Sequence, residues 1–257
     1  MSGLVPPLAD CFNTRPETGP GVLEAKSPGP LLVLTTPSGP VADWPGGTGK
    51  TQLAVHLART WGRDRPAGLL VWVTASSRAA VLSSYVRAFT ERTGMVPAGD
   101  AETVAARFLA WLAETSQPWL VVLDDVSDPA CLDGLWPAGP AGQVLVTAAH
   151  QATVPAARNP QLFPVGAFSS HEALTYLMGR LSGDPDQRLG AVDLVQDLGC
   201  DPLALFQASA AIASSGLTCR DYRDMFARQQ EKLASVAGPQ PGAKVITWML
   251  PRPGLLR

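Results

Sequence analysis

The sequence has 257 residues with a formal net charge of -2, and 46% of its residues are hydrophobic. This length suits one large domain or two modest ones, the apolar content excludes a wholly disordered chain, and the near-neutral charge gives no electrostatic basis for binding nucleic acid or a membrane surface. The four scattered cysteines form no C-x-x-C pair, and we find neither a membrane-spanning apolar run nor a secretory signal, so we expect a cytoplasmic protein without a zinc or redox motif.

The first part of the chain predicts a linker followed by an α/β domain. Residues 1–29 are rich in proline and glycine, and we interpret them as a leader or linker. From residue 30 to 168, short apolar runs alternate with amphipathic segments. The runs predict about five strands, at 31–35, 68–76, 119–126, 143–149 and, more weakly, 162–168; the helices between them are expected near 50–61, 78–92 and 101–115. This alternation favours a parallel sheet flanked by helices.

After residue 168 the pattern changes to helices alone. Residues 169–237 predict a small all-helical bundle with four helices. Expected helix caps are Asp100 in the first domain, then Ser169 or Ser170, Asp201 with Pro202 at the first helical position, and Thr218. The tail, 238–257, is again rich in proline and glycine, and we expect it to be disordered or truncated.

The stretch "GGTGKT", residues 46–51, predicts a phosphate-binding loop. Glycines allow successive backbone N–H groups to turn inward around an anion, and a helix beginning near Lys50 adds its positive end. Lys50 can reach the β and γ phosphates, and the Thr51 hydroxyl can bind Mg²⁺. The predicted nucleotide-binding residues here are Gly46, Gly47, Thr48, Gly49, Lys50, Thr51 and Gln52. Lys50 is also a predicted catalytic residue.

One position of this loop departs from the pattern G-x-x-x-x-G-K-[ST]. Trp44 stands where the first glycine is expected. Either the bulky side chain crowds the loop, or Gly39 supplies the early turn and residues 40–44 form an added bulge. The sequence leaves both arrangements open.

The third predicted strand ends in two carboxylates, Asp124 and Asp125. Burying a carboxylate is costly unless a cation or hydrogen bonds compensate it, so a carboxylate at the end of a buried strand near a phosphate loop indicates a Mg²⁺ site. We assign Asp124 to the metal, together with Thr51, and Asp125 to orienting or deprotonating the attacking water. The alternative is that either aspartate merely caps the following turn.

Four motifs in order resemble the NB-ARC branch of the STAND P-loop signalling ATPases. They are "GGTGKTQLA", "WLVVLDDV", "GQVLVTAA" and "LGCDPLAL", and the resemblance covers about residues 30–235. It implies an ADP-bound closed state, an ATP-bound open state and slow Mg²⁺-dependent hydrolysis, with the nucleotide between the α/β domain and the following helices. It also implies adenine as the base, and it implies that Pro202 packs near that base.

Two further departures concern the cycle and the output. In the family the fourth strand usually leads to an arginine that senses the γ-phosphate, but Ala149 stands there. His150, one place later, either substitutes for that arginine or is a surface residue. Relatives continue into further domains, so the resemblance implies that this chain is short of its output module.

These observations favour an ATP/ADP-binding switch in signalling or transcriptional regulation, with slow hydrolysis. The expected partners are the nucleotide and a protein, or a second copy of the chain, with no evident nucleic-acid or membrane contact. The alternative is a pseudo-ATPase that binds but does not hydrolyse. A P-loop small-molecule kinase ranks lower, because residues 126–142 contain none of the arginines that a kinase lid needs.

Overall fold

A computed structural model describes residues 2–15, 31–37, 47–94, 98–150 and 154–237 of the chain. The chain divides into two compact units. The first unit comprises Met1–Ala9 and Thr14–Gly166, and the second comprises Asp10–Asn13 and Ala167–Arg257. The predicted tail at 238–257 lies outside the described residues.

The first unit is a parallel five-stranded sheet flanked by helices, which confirms the predicted α/β class. Its elements are β1 (Leu32–Thr35), α1 (Lys50–Asp64), β2 (Leu69–Thr74), α2 (Arg78–Thr93), α3 (Ala101–Glu114), β3 (Trp119–Val126), β4 (Gly142–Ala148) and β5 (Gln161–Pro164). Short 3₁₀ turns at Pro129–Leu132 and Ala156–Arg158 complete it. The sheet order is β2-β3-β4-β1-β5, and every adjacent pair is parallel.

This strand order determines where the functional loops meet. β4 is inserted between β1 and β3, so the ends of three strands that are distant in sequence become neighbours. Carboxyl ends of parallel strands lie at the same edge of a sheet, and the loops that follow them build the sites of such folds. The sequence predicts the strands, but their order is visible only in the structure.

The core of the first unit explains why the apolar runs become strands. β3 is buried on both faces, as is typical of a parallel sheet covered by helices. Three large aromatic side chains are fully buried in the same core: Trp119 at the start of β3, Tyr85 in α2 and Phe108 in α3. Their polar atoms are satisfied, since Tyr85 Oη donates to the Leu135 carbonyl at 2.9 Å and Trp119 Nε1 to the Leu112 carbonyl at 3.1 Å. The core therefore buries large apolar area without leaving these donors unpaired.

The N-terminal segment, residues 2–15, differs from the predicted linker. Ser2 pairs with the outer edge of β2: its N–H donates to the Leu70 carbonyl at 2.7 Å, and its carbonyl accepts from Trp72 N at 3.0 Å. Farther along, Arg15 is buried. Prolines do prevent a helix here, but an irregular chain can still make specific contacts, and the composition did not reveal them.

The second unit contains helices within its described residues. They are α4 (Ser170–Arg180), α5 (Ala191–Asp197), α6 (Pro202–Ser215) and α7 (Cys219–Ala237), with a 3₁₀ turn at Pro185–Arg188. The predicted caps are confirmed: Ser169 forms a capping box with Glu172, and Asp201 accepts from Ala204 N at 2.6 Å. Within the described residues no single helix is long and apolar enough to cross a membrane; α6 and the start of α7 pass that test only together, across a bend of 112°.

The close approach of β4 to Trp119 gives a first testable prediction. A Cβ added at Gly142 would overlap the buried indole ring of Trp119. We therefore expect Gly142→Ala to lower the free energy of unfolding by about 1–3 kcal/mol or more, as overpacking of a rigid core does. Gly183→Ala is the matched control, because nothing lies within 4 Å of its added Cβ. Urea unfolding measures both, and equal stability of the two variants would contradict the packing described here.

Candidate functional site

The phosphate loop lies between β1 and α1, as the sequence predicts. Gly47 and Gly49 have φ angles of 86° and 90°, a left-handed conformation that glycine adopts without strain. α1 begins at Lys50, directly after Gly49. The loop thus ends at the positive end of a 15-residue helix, where backbone N–H groups favour an anion. Gly46, Trp44 and Gly39 lie outside the described residues, so the question of the first loop position stays open.

Lys50 is held inside the loop by two hydroxyls. Its Nζ donates to Thr36 Oγ1 at 3.0 Å and to Thr48 Oγ1 at 3.4 Å. Burial lowers the pKa of Lys50, and the negative charge of Asp125 partly opposes this shift. The ammonium is therefore incompletely solvated and bonded to neutral partners. An anionic ligand would stabilise its positive charge better than these hydroxyls do.

Asp124 joins three elements through one buried carboxylate oxygen. Its Oδ1 accepts from Thr51 Oγ1 at 2.8 Å and from Thr147 Oγ1 at 2.6 Å. Burial raises the pKa of Asp124, and the hydrogen bonds from Thr147 and Thr51 oppose the rise. The bond to Thr51 brings together the two residues assigned to Mg²⁺ from the sequence.

Asp125 is presented differently from its neighbour. The pairing of β3 with β4 shifts between Leu123 and Val126, and Asp125 has a φ of 65°, which is unusual for a residue with a Cβ. This irregularity exposes the side chain, while the Asp125 N–H donates to Thr147 Oγ1 at 2.8 Å. A bulge next to a site re-aims side chains in this way. Asp124 is thus buried and Asp125 exposed, and their assignment to the metal and to the attacking water stays a prediction.

A cavity of about 480 Å³ lies at this edge of the sheet. Its lining comprises Gly47, Thr48, Gly49, Lys50, Thr51, Gln52, Asp125, Thr147, Ala148, Ala149 and His150. Ala149 and His150 are both exposed there, at the position where the resemblance implies a sensing arginine. The cavity contains the loop, one of the two aspartates and the end of β4.

Two of the predicted nucleotide-binding residues, Gln52 and Pro202, have different surroundings. The Gln52 side chain bonds the N-terminal segment: its Oε1 accepts from Ala9 N at 2.6 Å, and its Nε2 donates to the Pro7 carbonyl at 3.3 Å. Pro202 is the first residue of α6 in the second unit. Its predicted contact with a base stays a prediction.

Three residues of this region were missed by the sequence analysis: Thr36, Thr147 and Arg15. Thr36 follows β1, and the double threonine "TT" at the end of an apolar run was a usable signal for it. Thr147 lies in β4 among apolar residues, and only the strand order places it beside Asp124. Arg15 donates to the Thr48 carbonyl at 2.6 Å from a segment that resembles a linker, and no local pattern indicates that contact.

The residues present fit a magnesium ion held jointly with phosphate. Among the residues that the structure describes, no group of three His, Cys, Asp or Glu side chains could hold a metal. Mg²⁺ is commonly bound by only one or two protein oxygens, with water and substrate phosphates as its other ligands. Thr51 Oγ1 and Asp124 Oδ1 are such hard oxygens, and they lie 2.8 Å apart beside the phosphate loop.

The fold is a P-loop fold, and solved structures share it. The chain matches Cdc6p of Pyrobaculum aerophilum with a TM-score of 0.54 and 15% identity, covering 77% of this chain and 61% of that one. It matches the ADP form of the Aeropyrum pernix ORC2 protein with a TM-score of 0.55 and 15% identity, covering 92% and 77%. Drosophila ORC bound to DNA gives a TM-score of 0.55 and 17% identity, covering 82% and 59%. At these identities the likeness shows the fold alone.

The sequence is also similar to part of a known regulatory protein. Over 178 residues, 66% of this chain, the sequence is 32% identical to the regulatory protein AfsR of Streptomyces griseus. The chain spans only 18% of that protein. No family model matches the sequence. The findings thus support a P-loop protein related to a regulator, while the assignment to the NB-ARC branch stays a prediction.

The hydroxyl of Thr147 gives the second prediction. Thr147→Val keeps the shape of the side chain but removes a donor to Asp124 and an acceptor for Asp125 N–H. We expect it to lower the free energy of unfolding by about 1–3 kcal/mol, because a buried polar group loses its partner. Thr90→Val, whose hydroxyl bonds a carbonyl of its own helix, is the control and should stay within about 0.5 kcal/mol. Equal effects in chemical denaturation would argue against the network.

The raised pKa of Asp124 gives the third prediction, on pH dependence. The folded state holds the Asp124 proton more tightly than the unfolded chain, so ionisation of this group opposes folding. This cost is absent below the ordinary aspartate pKa and is fully present above the raised pKa. Asp124→Asn keeps an oxygen acceptor without the charge. We expect the nucleotide-free variant to match or exceed the parent in stability at pH 7, and this advantage to shrink towards pH 4.

The control for this pH dependence has the opposite sign. Hydrogen bonds from Thr103 lower the pKa of the helix cap Asp100, so its ionised form favours folding and that contribution is lost as pH falls. Asp100→Asn should therefore be the less stable variant at pH 7, with a difference that shrinks in acid. Urea unfolding at several pH values measures both, and a pH-independent difference for Asp124→Asn would contradict the assignment.

Proposed function

We propose that this protein is an ATP/ADP-binding molecular switch of the NB-ARC or STAND type, with slow Mg²⁺-dependent hydrolysis. One observation carries the proposal: the hydroxyl of Thr51, where the phosphate loop enters α1, lies 2.8 Å from the buried carboxylate of Asp124 in β3. A loop that curls for an anion and a carboxylate suited to a cation are thereby combined in one place. That combination is what a Mg²⁺–nucleotide complex requires.

The loop supplies the positive side of the site. Gly47 and Gly49 adopt left-handed conformations, and α1 directs its N-terminus at the same place. Lys50 is half-buried, and its Nζ donates to the Thr36 and Thr48 hydroxyls at 3.0 and 3.4 Å, so a phosphate oxygen would be a stronger acceptor than either. We assign Lys50 to the β and γ phosphates.

Asp124 and Asp125 supply the carboxylates for the metal ion and for the attacking water. Thr51 and Asp124 would hold Mg²⁺, which in such a site neutralises charge on the phosphate oxygens. Asp125 is exposed and lines the cavity, where it can accept a proton from, or orient, a water molecule. Thr147 fixes both aspartates through one hydroxyl.

Hydrolysis is expected to be slow. Among the described residues that line the cavity, Lys50 is the one lysine or arginine, and Ala149 occupies the place of the family's arginine. An arginine at the transferred phosphate contributes a large part of the rate in P-loop enzymes. The same observation favours the second candidate, a pseudo-ATPase that binds nucleotide without turning it over.

The regulatory role rests on the similarity to AfsR over 178 residues. On this proposal ADP stabilises a closed state and ATP an open one, because the γ-phosphate interacts differently with the two states. Pro202, at the start of α6, is proposed to pack near the base. The output of the switch would be signalling or transcriptional regulation through a protein partner or self-association.

Nucleotide binding is tested with Lys50→Ala. We expect the purified parent to carry or bind ADP, and the variant to bind Mg·ADP roughly 10- to 100-fold more weakly, because a charge-assisted contact is lost. Arg63→Ala removes an exposed cation from the same helix and is the control, with unchanged affinity. Calorimetry measures all three proteins. A parent that binds neither Mg·ATP nor Mg·ADP would refute the proposal.

Hydrolysis is tested separately by single-turnover release of phosphate from bound ATP. Slow release in the parent that is lost in Asp125→Asn supports the switch. Binding without detectable release supports the pseudo-ATPase. Ala149→Arg should increase the rate if the missing cation limits it, and Gly183→Ala provides a variant in which the rate is unchanged.

A further inference from the structure

The N-terminal segment reaches the phosphate loop along α1. Its contacts within the first unit begin at the edge of β2, where Ser2 pairs with the strand. They continue at α1, where Arg59 Nη2 donates to the Pro6 carbonyl at 3.4 Å and Gln52 bonds Pro7 and Ala9. Two residues of α1 thus hold the segment by its backbone.

The last contact of the described segment is made by Arg15. Its Nη2 donates to the Thr48 carbonyl at 2.6 Å, and its Nη1 donates to the Gly166 carbonyl at 2.8 Å. Only 6% of Arg15 is exposed. The guanidinium also packs under Gly49, whose added Cβ would lie 3.5 Å from Nη2. A buried arginine therefore bridges the phosphate loop to the end of the first unit.

We infer that Arg15 is a positioning residue that sets the conformation of the phosphate loop before any ligand binds. The carbonyl of Thr48 and the N–H of Gly49 belong to one trans peptide, so they point in opposite directions. A bond that fixes the carbonyl on Arg15 therefore turns the Gly49 N–H to the other side, away from the guanidinium. In a loop whose glycines are otherwise free to rotate, this bond selects one orientation.

The bridge requires an arginine rather than any cation. The planar guanidinium offers donors in a fixed fork, and here two different nitrogens bond two different carbonyls. A lysine would keep the charge near the loop but lack that fork. The variant Arg15→Lys therefore separates the effect of the positive charge on the loop from the effect of the two bridging hydrogen bonds. The inference rests on the proposed function in taking residues 47–52 as a phosphate site, but the first test needs no nucleotide.

Hydrogen exchange of the nucleotide-free, full-length protein tests the inference. We expect the Leu53 amide, which donates to the Gly49 carbonyl at 2.9 Å and so reports on the phosphate loop, to exchange roughly tenfold or more faster in both Arg15→Lys and Arg15→Gln, because the bond that fixes the loop is lost or loosened. The amides of β3 report on global stability and should keep their rates. Arg59→Lys alters the exposed bond to Pro6 and is the matched control, with no change at the loop.

Each outcome decides the inference. Unchanged loop exchange in Arg15→Lys overturns it, and so does equal acceleration in β3, because Arg15 would then be a general stabiliser. If Arg15→Gln fails to fold, Arg15→Lys still gives the comparison, since it retains the charge and the aliphatic stem.

A binding measurement separates this inference from the proposed function. If the parent binds Mg·ADP, Arg15→Lys should weaken binding by about the factor by which loop exchange increases. If the parent binds no nucleotide, the proposed function fails, while the exchange result still shows whether Arg15 positions the loop. Faster exchange with unchanged affinity would overturn the positioning role for binding.

Discussion

The site depends on one buried oxygen, Asp124 Oδ1, which accepts hydrogen bonds from Thr51 and Thr147. Those bonds tie the start of α1, the end of β3 and the end of β4 to a single point. The carboxylate is unfavourable on its own account, since burial raises its pKa, and the two hydroxyls reduce that cost. The carboxylate that organises the site thus also lowers the stability of the folded protein. Such a cost is common where a functional group occupies a core position.

Strand order makes this interaction possible. Because β4 lies between β1 and β3, its Thr147 stands between the phosphate loop and the acidic pair. The same hydroxyl accepts from Asp125 N–H, which supports a backbone conformation that an aspartate adopts at a cost. One side chain on the inserted strand therefore bonds the carboxylate of the buried Asp124 and the backbone N–H of the exposed Asp125.

Much of the fold and of the candidate site could be predicted from local sequence patterns. Apolar runs predicted the strands, because strands buried on both faces consist mainly of apolar residues. Capping residues predicted where helices begin, and Asp100, Ser169 and Asp201 all cap as expected. The loop and the two aspartates were also found, since each follows an apolar run. Thr147 and Arg15 were not, because their partners are distant in sequence and their immediate neighbours carry no sign of the contact. Proline and glycine indicated correctly that residues 2–15 form no helix, but not that they pack.

The contact of Ser2 with β2 has a practical consequence. β2 is an outer strand, and the N–H of Trp72 and the carbonyl of Leu70 would face solvent there without Ser2. Open strand edges are templates for pairing with other chains. A shortened protein starting at residue 30, where composition suggests that the domain begins, would expose this edge together with the Thr48 carbonyl. Such a protein would be expected to self-associate for reasons unrelated to any biological assembly, and its oligomeric state would mislead.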